Sequence, residues 1–185
     1  LGEVLQTGHG VLGTTHAESI EALLGRLVET GVSPRLLSDI DLVVFPKHVE
    51  GDRHVGSAVE LLSEREAERT DRPTECVTTN GVTVQYNRIL TRTSDGGWEF
   101  AYEHPKLGDP TADRGFETLD RIANRTNRSV DAVEAEFHRK HGYVEYLVRD
   151  GVSDFEELFG FLSDLRTNEA ATIERIRRNR DGPDA

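Results

Sequence analysis

Asp41-Leu42-Val43-Val44-Phe45-Pro46-Lys47-His48-Val49-Glu50-Gly51-Asp52-Arg53-His54-Val55 is the stretch on which the fold turns. Its opening is a continuous apolar run, short enough to be a strand buried on both faces and continuing to Val49. Gly51-Asp52, between Glu50 and Arg53, suits a two-residue II′ turn. The return strand is expected from Arg53 to about Leu62, with Val55, Val59 and Leu61 among its apolar positions. A buried strand paired antiparallel with its neighbour is the expectation.

Upstream, Gly10 to Thr15 reads as a short strand. Ser19 is a candidate N-cap, Ile20, Leu23, Leu24, Leu27 and Val28 recur at helical spacing, and Gly31 stops the run. Ser33-Pro34 opens a short second helix through Leu37. Strand-like and helix-like pieces alternate, the pattern of an α/β layer. Downstream, Ser63 to Glu75 is almost wholly polar and carries a proline, which predicts a linker and a domain boundary. Val82 to Leu90 alternates with period two, and Ser94-Asp95-Gly96-Gly97 turns it into Trp98 to Tyr102, an aromatic hairpin. From Asp113 the period becomes helical, with Phe116, Leu119, Ile122 and Ala123 in one stripe. Ser129 caps a segment expected to bend near Gly142 and end at Gly151, Ser153-Asp154-Phe155-Glu156 reads as a capping box, and a last helix starts at Asn168. The expected domains are 1–63, a linker 64–80, a β-hairpin 81–104 and a helical region 111–180.

The chain has 185 residues, 36% of them apolar, and a formal net charge of -12. Such a charge speaks against direct binding to a nucleic-acid backbone, which needs clustered Lys and Arg, and points to proteins or Mg-bound nucleotides as partners. Only Lys47, Lys106 and Lys140 are lysines among 22 basic residues, against 34 acids, a balance that fits either adaptation to high salt or an ordinary acidic protein. The single Cys76 fits a reduced compartment, and a sequence without methionine is expected to be a fragment or to start at a non-standard codon.

The chemistry-bearing stretch is Gln6-Thr7-Gly8-His9-Gly10-Val11-Leu12-Gly13-Thr14-Thr15-His16-Ala17-Glu18-Ser19. An imidazole near a phosphate can donate a hydrogen bond to developing charge and titrates close to neutral pH. Two histidines seven residues apart can equally serve backbone carbonyls at the ends of a strand, and a zinc site would need a third ligand. With its glycine context the stretch resembles the histidine box of archaeal type II/IV secretion-system ATPases, the motors of archaella and type IV pili. Gly2-Glu3 is similar to the end of that family's Walker B segment, whose glutamate polarises the attacking water. The family's helical segment after that glutamate is here only Val4-Leu5-Gln6, so Glu3 is either displaced or coincidental.

The resemblance continues through the order helix, short helix and strand to Phe45, and through Val84 to Leu90 and Val148 to Phe155, which are similar to the C-terminal extension of archaeal members. It implies a partial RecA-like P-loop NTPase core of α/β class, followed by a β-hairpin and a C-terminal helical bundle. It further implies a parent enzyme that binds ATP and Mg2+, works as a homo-hexamer on a membrane platform protein at the inner face of the cell membrane, and uses Glu3, His9 and His16 in catalysis. No Gly-x-x-x-x-Gly-Lys-Ser/Thr occurs in the sequence, so this chain is not expected to hold ATP tightly by itself. A non-catalytic module derived from such a motor is the alternative.

Arg26 and Arg35 suit phosphate sensing or a solvated helix face, and His48 and His54 flank a turn. Trp98 and Tyr102 suit a docking patch or core packing, and the basic cluster Arg175 to Arg180 suits acidic lipid or a helix end complementing its own dipole.

Overall fold

The computed structural model describes residues 10–70, 74–101 and 117–181. The chain divides into two compact units, residues 1–128 and 129–185. The class is mixed α/β, with an antiparallel sheet in the first unit.

Helix α1 is Ile20–Glu29, and Ser19 caps it by accepting a hydrogen bond from the Ala22 amide. Its end is a Schellman closure, because the Val32 amide returns to Leu27 O and the Gly31 amide to Val28 O. Gly31 sits at φ 86°, where a side chain would be strained. A 3-10 helix, Pro34–Asp39, follows as the proline foretells, although Ser33 makes no side-chain cap. Gly10 to Thr15, expected as a strand, has no regular structure.

Strands β1 (Leu42–Val49) and β2 (Asp52–Leu62) form the expected hairpin. The turn differs by one residue: Val49 pairs with Asp52, and Glu50 and Gly51 both have positive φ, the requirement of type I′ and not II′. Helix α2 (Glu64–Arg69) comes next, then β3 (Glu75–Thr79), β4 (Val82–Arg92) and β5 (Trp98–Phe100). The order across the sheet is β1-β2-β4-β3, with β5 also on β4, and all pairs are antiparallel. The segment 64–80, read as a linker, therefore holds α2 and β3, and the expected hairpin strand β4 lies in the same sheet as β1 and β2.

Burial on the sheet follows strand alternation. Phe45, Val59, Leu61, Val77, Val84 and Tyr86 pack with Ile20, Leu23 and Leu24 of α1 and Leu37 of the 3-10 helix. Glu60 and Leu62 point the opposite way, toward helix α3 (Glu117–Thr126), whose Leu119 and Ala123 are buried. Among the described residues strand β1 is an edge. Its Leu42 and Val44 are exposed, so the run read as buried on both faces is buried on one only.

The second unit comprises α4 (Val130–Arg149), α5 (Phe155–Thr167) and α6 (Glu169–Asp181). Ser129 caps α4 through the Ala132 amide as foreseen, and α4 runs unbroken for 20 residues through Gly142. A lone glycine inside a helix costs about 1 kcal/mol, too little to break a 20-residue helix held along its length. Gly151 ends it at φ 65°. The cap of α5 is Asp154, which accepts from the Glu157 amide, one residue later than the expected box. No helix among the described residues is long and apolar enough to cross a membrane.

Candidate functional site

Of the residues singled out for catalysis, Glu3 and His9 lie outside the described residues. His16 is exposed, in the irregular segment three residues before the α1 cap. Ser19 occupies the Ala22 amide, so part of the α1 N-terminus is already satisfied by its own cap. His48 is exposed on the hairpin, and His54 Nδ1 lies 3.2 Å from Asp52 Oδ2. Trp98 is half exposed, donates from Nε1 to Val55 O at 3.1 Å and lies under the Arg92 guanidinium, 4.1 Å from its ring centre. Among the described residues no group of three or more His, Cys, Asp or Glu side chains could hold a metal ion.

The densest polar constellation lies elsewhere, between β2, β4, α2 and the start of α3. Glu60 on β2 is 0% exposed and Asn87 on β4 is 2% exposed. They are register partners, and Asn87 Nδ2 donates to Glu60 Oε1 at 3.0 Å. Glu60 Oε2 accepts from the Thr118 amide at 3.0 Å and from Thr118 Oγ1 at 3.2 Å. The carboxylate thus rests on the first turn of α3, where exposed amides and the helix dipole favour negative charge. Asn87 Oδ1 is buried without a partner among the described residues.

One turn further on, Arg121 is a hub with its side chain 11% exposed. Its Nε and Nη2 grip both Glu66 oxygens at 2.8 and 2.6 Å, Nη2 also reaches Leu61 O at 2.6 Å, and Nη1 reaches Asp41 Oδ1 at 3.3 Å. Arg125 takes the other Asp41 oxygen at 2.9 Å, and Arg69 of α2 binds Glu117 at 2.6 Å. Ser63 and Glu66 close a reciprocal capping box on α2. Burial pushes the Glu66 carboxyl up, but hydrogen bonds from Arg121 and Ser63 outweigh it and hold the group at about 2. Desolvation pulls the Arg121 guanidinium down, while Glu66 and Asp41 more than offset it and keep it charged.

Chemically this arrangement is a clamp. Each carboxylate oxygen of Glu60 and Glu66 is taken by a donor, which fixes geometry and leaves no obvious base for proton abstraction. A second polar triad in the helical unit joins Glu169 to the Tyr143 hydroxyl at 2.7 Å and Arg139 Nε at 2.8 Å. Both hydrogen bonds lower the carboxyl. In the same unit, Tyr146, Leu147, Gly160, Phe161 and Arg175 help line an open cavity of about 350 Å³.

Sequence reasoning passed over Glu60, Asn87, Thr118 and Arg121, whose partners lie 27 to 80 positions away. No local signal marks them, because Glu60 and Asn87 become register partners, and compensate each other's burial, only once β2 and β4 pair. Models of known protein families and curated proteins, compared with this chain, gave no match.

Proposed function

We propose that this chain is the C-terminal part of a type II/IV secretion-system motor ATPase, which couples ATP hydrolysis to assembly or movement of an archaellum, a pilus or a secretion machine. The observation that carries the reading is Thr7-Gly8-His9 followed at fixed distance by Thr14-Thr15-His16. In this reading His9 and His16 act beside the γ-phosphate, donating hydrogen bonds to charge that develops during transfer, and Glu3 polarises the attacking water. The order α1, 3-10 helix, β1 after the histidines agrees with the family's order. A RecA-like core would be completed by further strands, and the edge of β1, unpaired among the described residues, offers backbone groups for one. ATP and Mg2+ would be held largely by residues of the parent motor outside this chain, a homo-hexamer working on a membrane platform protein at the inner face of the membrane.

The rival is a non-catalytic assembly module. Two features favour it: the sequence contains no phosphate-gripping loop motif, and the buried carboxylates of the first unit are consumed by structural partners. The two separate in a protein extended by whatever the gene encodes upstream in the same frame. The motor reading expects Mg-dependent ATPase activity there, and His16→Ala to lower kcat by about 10²-fold without unfolding, His16 being exposed. An extended protein without ATPase activity leaves the module reading in place, and an active one indifferent to His16→Ala removes His16 from the catalytic site.

A further inference from the structure

The helical unit carries more apolar side chain outside than inside. Among its described residues only Val133, Leu147, Phe161 and Thr172 are buried. By contrast Val144 and Val148 on α4, and Phe155, Phe159 and Leu162 on α5, are exposed, Val148 at 75% and Phe155 at 70%. Their spacing is helical, four apart on α4 and four then three apart on α5, so each set forms a stripe along one helix face. The Phe155 and Phe159 rings are 4.3 Å apart, centre to centre, and present a single aromatic ridge. Helical units of this size rarely hold themselves together on so small a core and draw on oligomerisation or another staple.

We infer that this unit is half of a helical bundle completed by a second copy of the same chain, with two α5 helices packed antiparallel across a two-fold axis. The area is of the right order. The α5 stripe alone exposes on the order of 300 Å² of apolar surface, the size of the largest patch on a typical monomer, and with a polar rim two such stripes approach the lower end of specific interfaces. The charges of α5 select the partner. Glu156 and Glu157 lie in its first turn and Arg166 in its last, where Arg175 already takes Asp164, so an antiparallel pair sets the acidic end of each helix beside Arg166 of the other, with the helix dipoles also opposed. This inference stands on the helical unit alone and does not depend on the motor reading.

Sedimentation of the full chain from 1 to 100 μM tests it. The expected result is a concentration-dependent dimer, lost in the Phe155→Glu, Phe159→Glu double variant while far-UV helicity is kept. Arg166→Glu, a surface change that leaves the fold intact, weakens the dimer roughly fivefold, and adding Glu156→Arg restores it, because the swapped charges again oppose across the axis. A wild-type chain that stays monomeric at every concentration overturns the inference. So does an oligomer that survives the double variant, or a charge swap that fails to restore what Arg166→Glu removes.

Discussion

Arg121→Ala lowers the unfolding free energy of the sheet unit by about 3–5 kcal/mol, the size expected when one partner of a largely buried, hydrogen-bonded charge pair is removed. The loss is large because three acceptors depend on one guanidinium. Glu66 loses both of its Arg121 bonds, Leu61 O loses its charged donor, and Asp41 keeps only Arg125. Arg121→Lys falls between, since an ammonium keeps the charge but not the two-pronged grip. Acid supplies an independent check. The folded Glu66 carboxyl sits at about 2, below its ordinary 4.5, so its stabilisation is complete above pH 4.5 and is lost as pH falls from there through 2. That loss amounts to on the order of 2–3 kcal/mol in the wild type. In Arg121→Ala the acid-dependent part largely vanishes, because Glu66 returns toward its ordinary value. Urea unfolding at pH 7 and at pH 3 measures both effects, and an Arg121→Ala variant within 1 kcal/mol of wild type at pH 7 would contradict the clamp.

Glu60→Ala is the second large effect, about 2–4 kcal/mol, because it strips the partner from three donors at once and opens a void in a fully buried position. Glu60→Gln separates the two causes. It preserves volume and one acceptor but turns an N–H group toward either Asn87 or the Thr118 amide, and it costs about 1–2 kcal/mol. Amide exchange reads the same variants locally, with the first turn of α3 losing protection before the sheet does. Equal stability of Glu60→Gln and wild type would mean that the carboxylate is not what fixes the start of α3.

What could be read from the sequence was local chemistry. Ser19 and Ser129 cap the helices they precede, and Gly31 and Gly151 end helices at positive φ, because caps and closures depend on a few adjacent residues. Two local signals went unused. Ser63-Glu-Arg-Glu66 is a capping box inside the supposed linker, and Asn80-Gly81 is a type I′ hairpin signal, both residues having positive φ, that places β3 against β4. Polarity misled there, since α2 is a short polar helix with no buried residue and β3 is a half-exposed strand. The reading of Leu42–Phe45 as doubly buried failed because an apolar run does not say how many neighbours a strand has, and β1 has one. The Glu60 and Arg121 clamps were illegible for a different reason: their meaning arises only when β2, β4 and α3 meet. The histidine stretch had the opposite fate, a clear motif whose only described histidine, His16, stands exposed in irregular chain.

Calorimetry with Mg-ATP on the purified chain, in high salt, bears most directly on the claim that these residues are only part of a motor's nucleotide site. No heat at millimolar ATP is the predicted result, since the sequence has no backbone cradle or lysine for the β- and γ-phosphates. Micromolar binding would contradict it, and would mean that this chain builds a nucleotide pocket of its own without the usual loop.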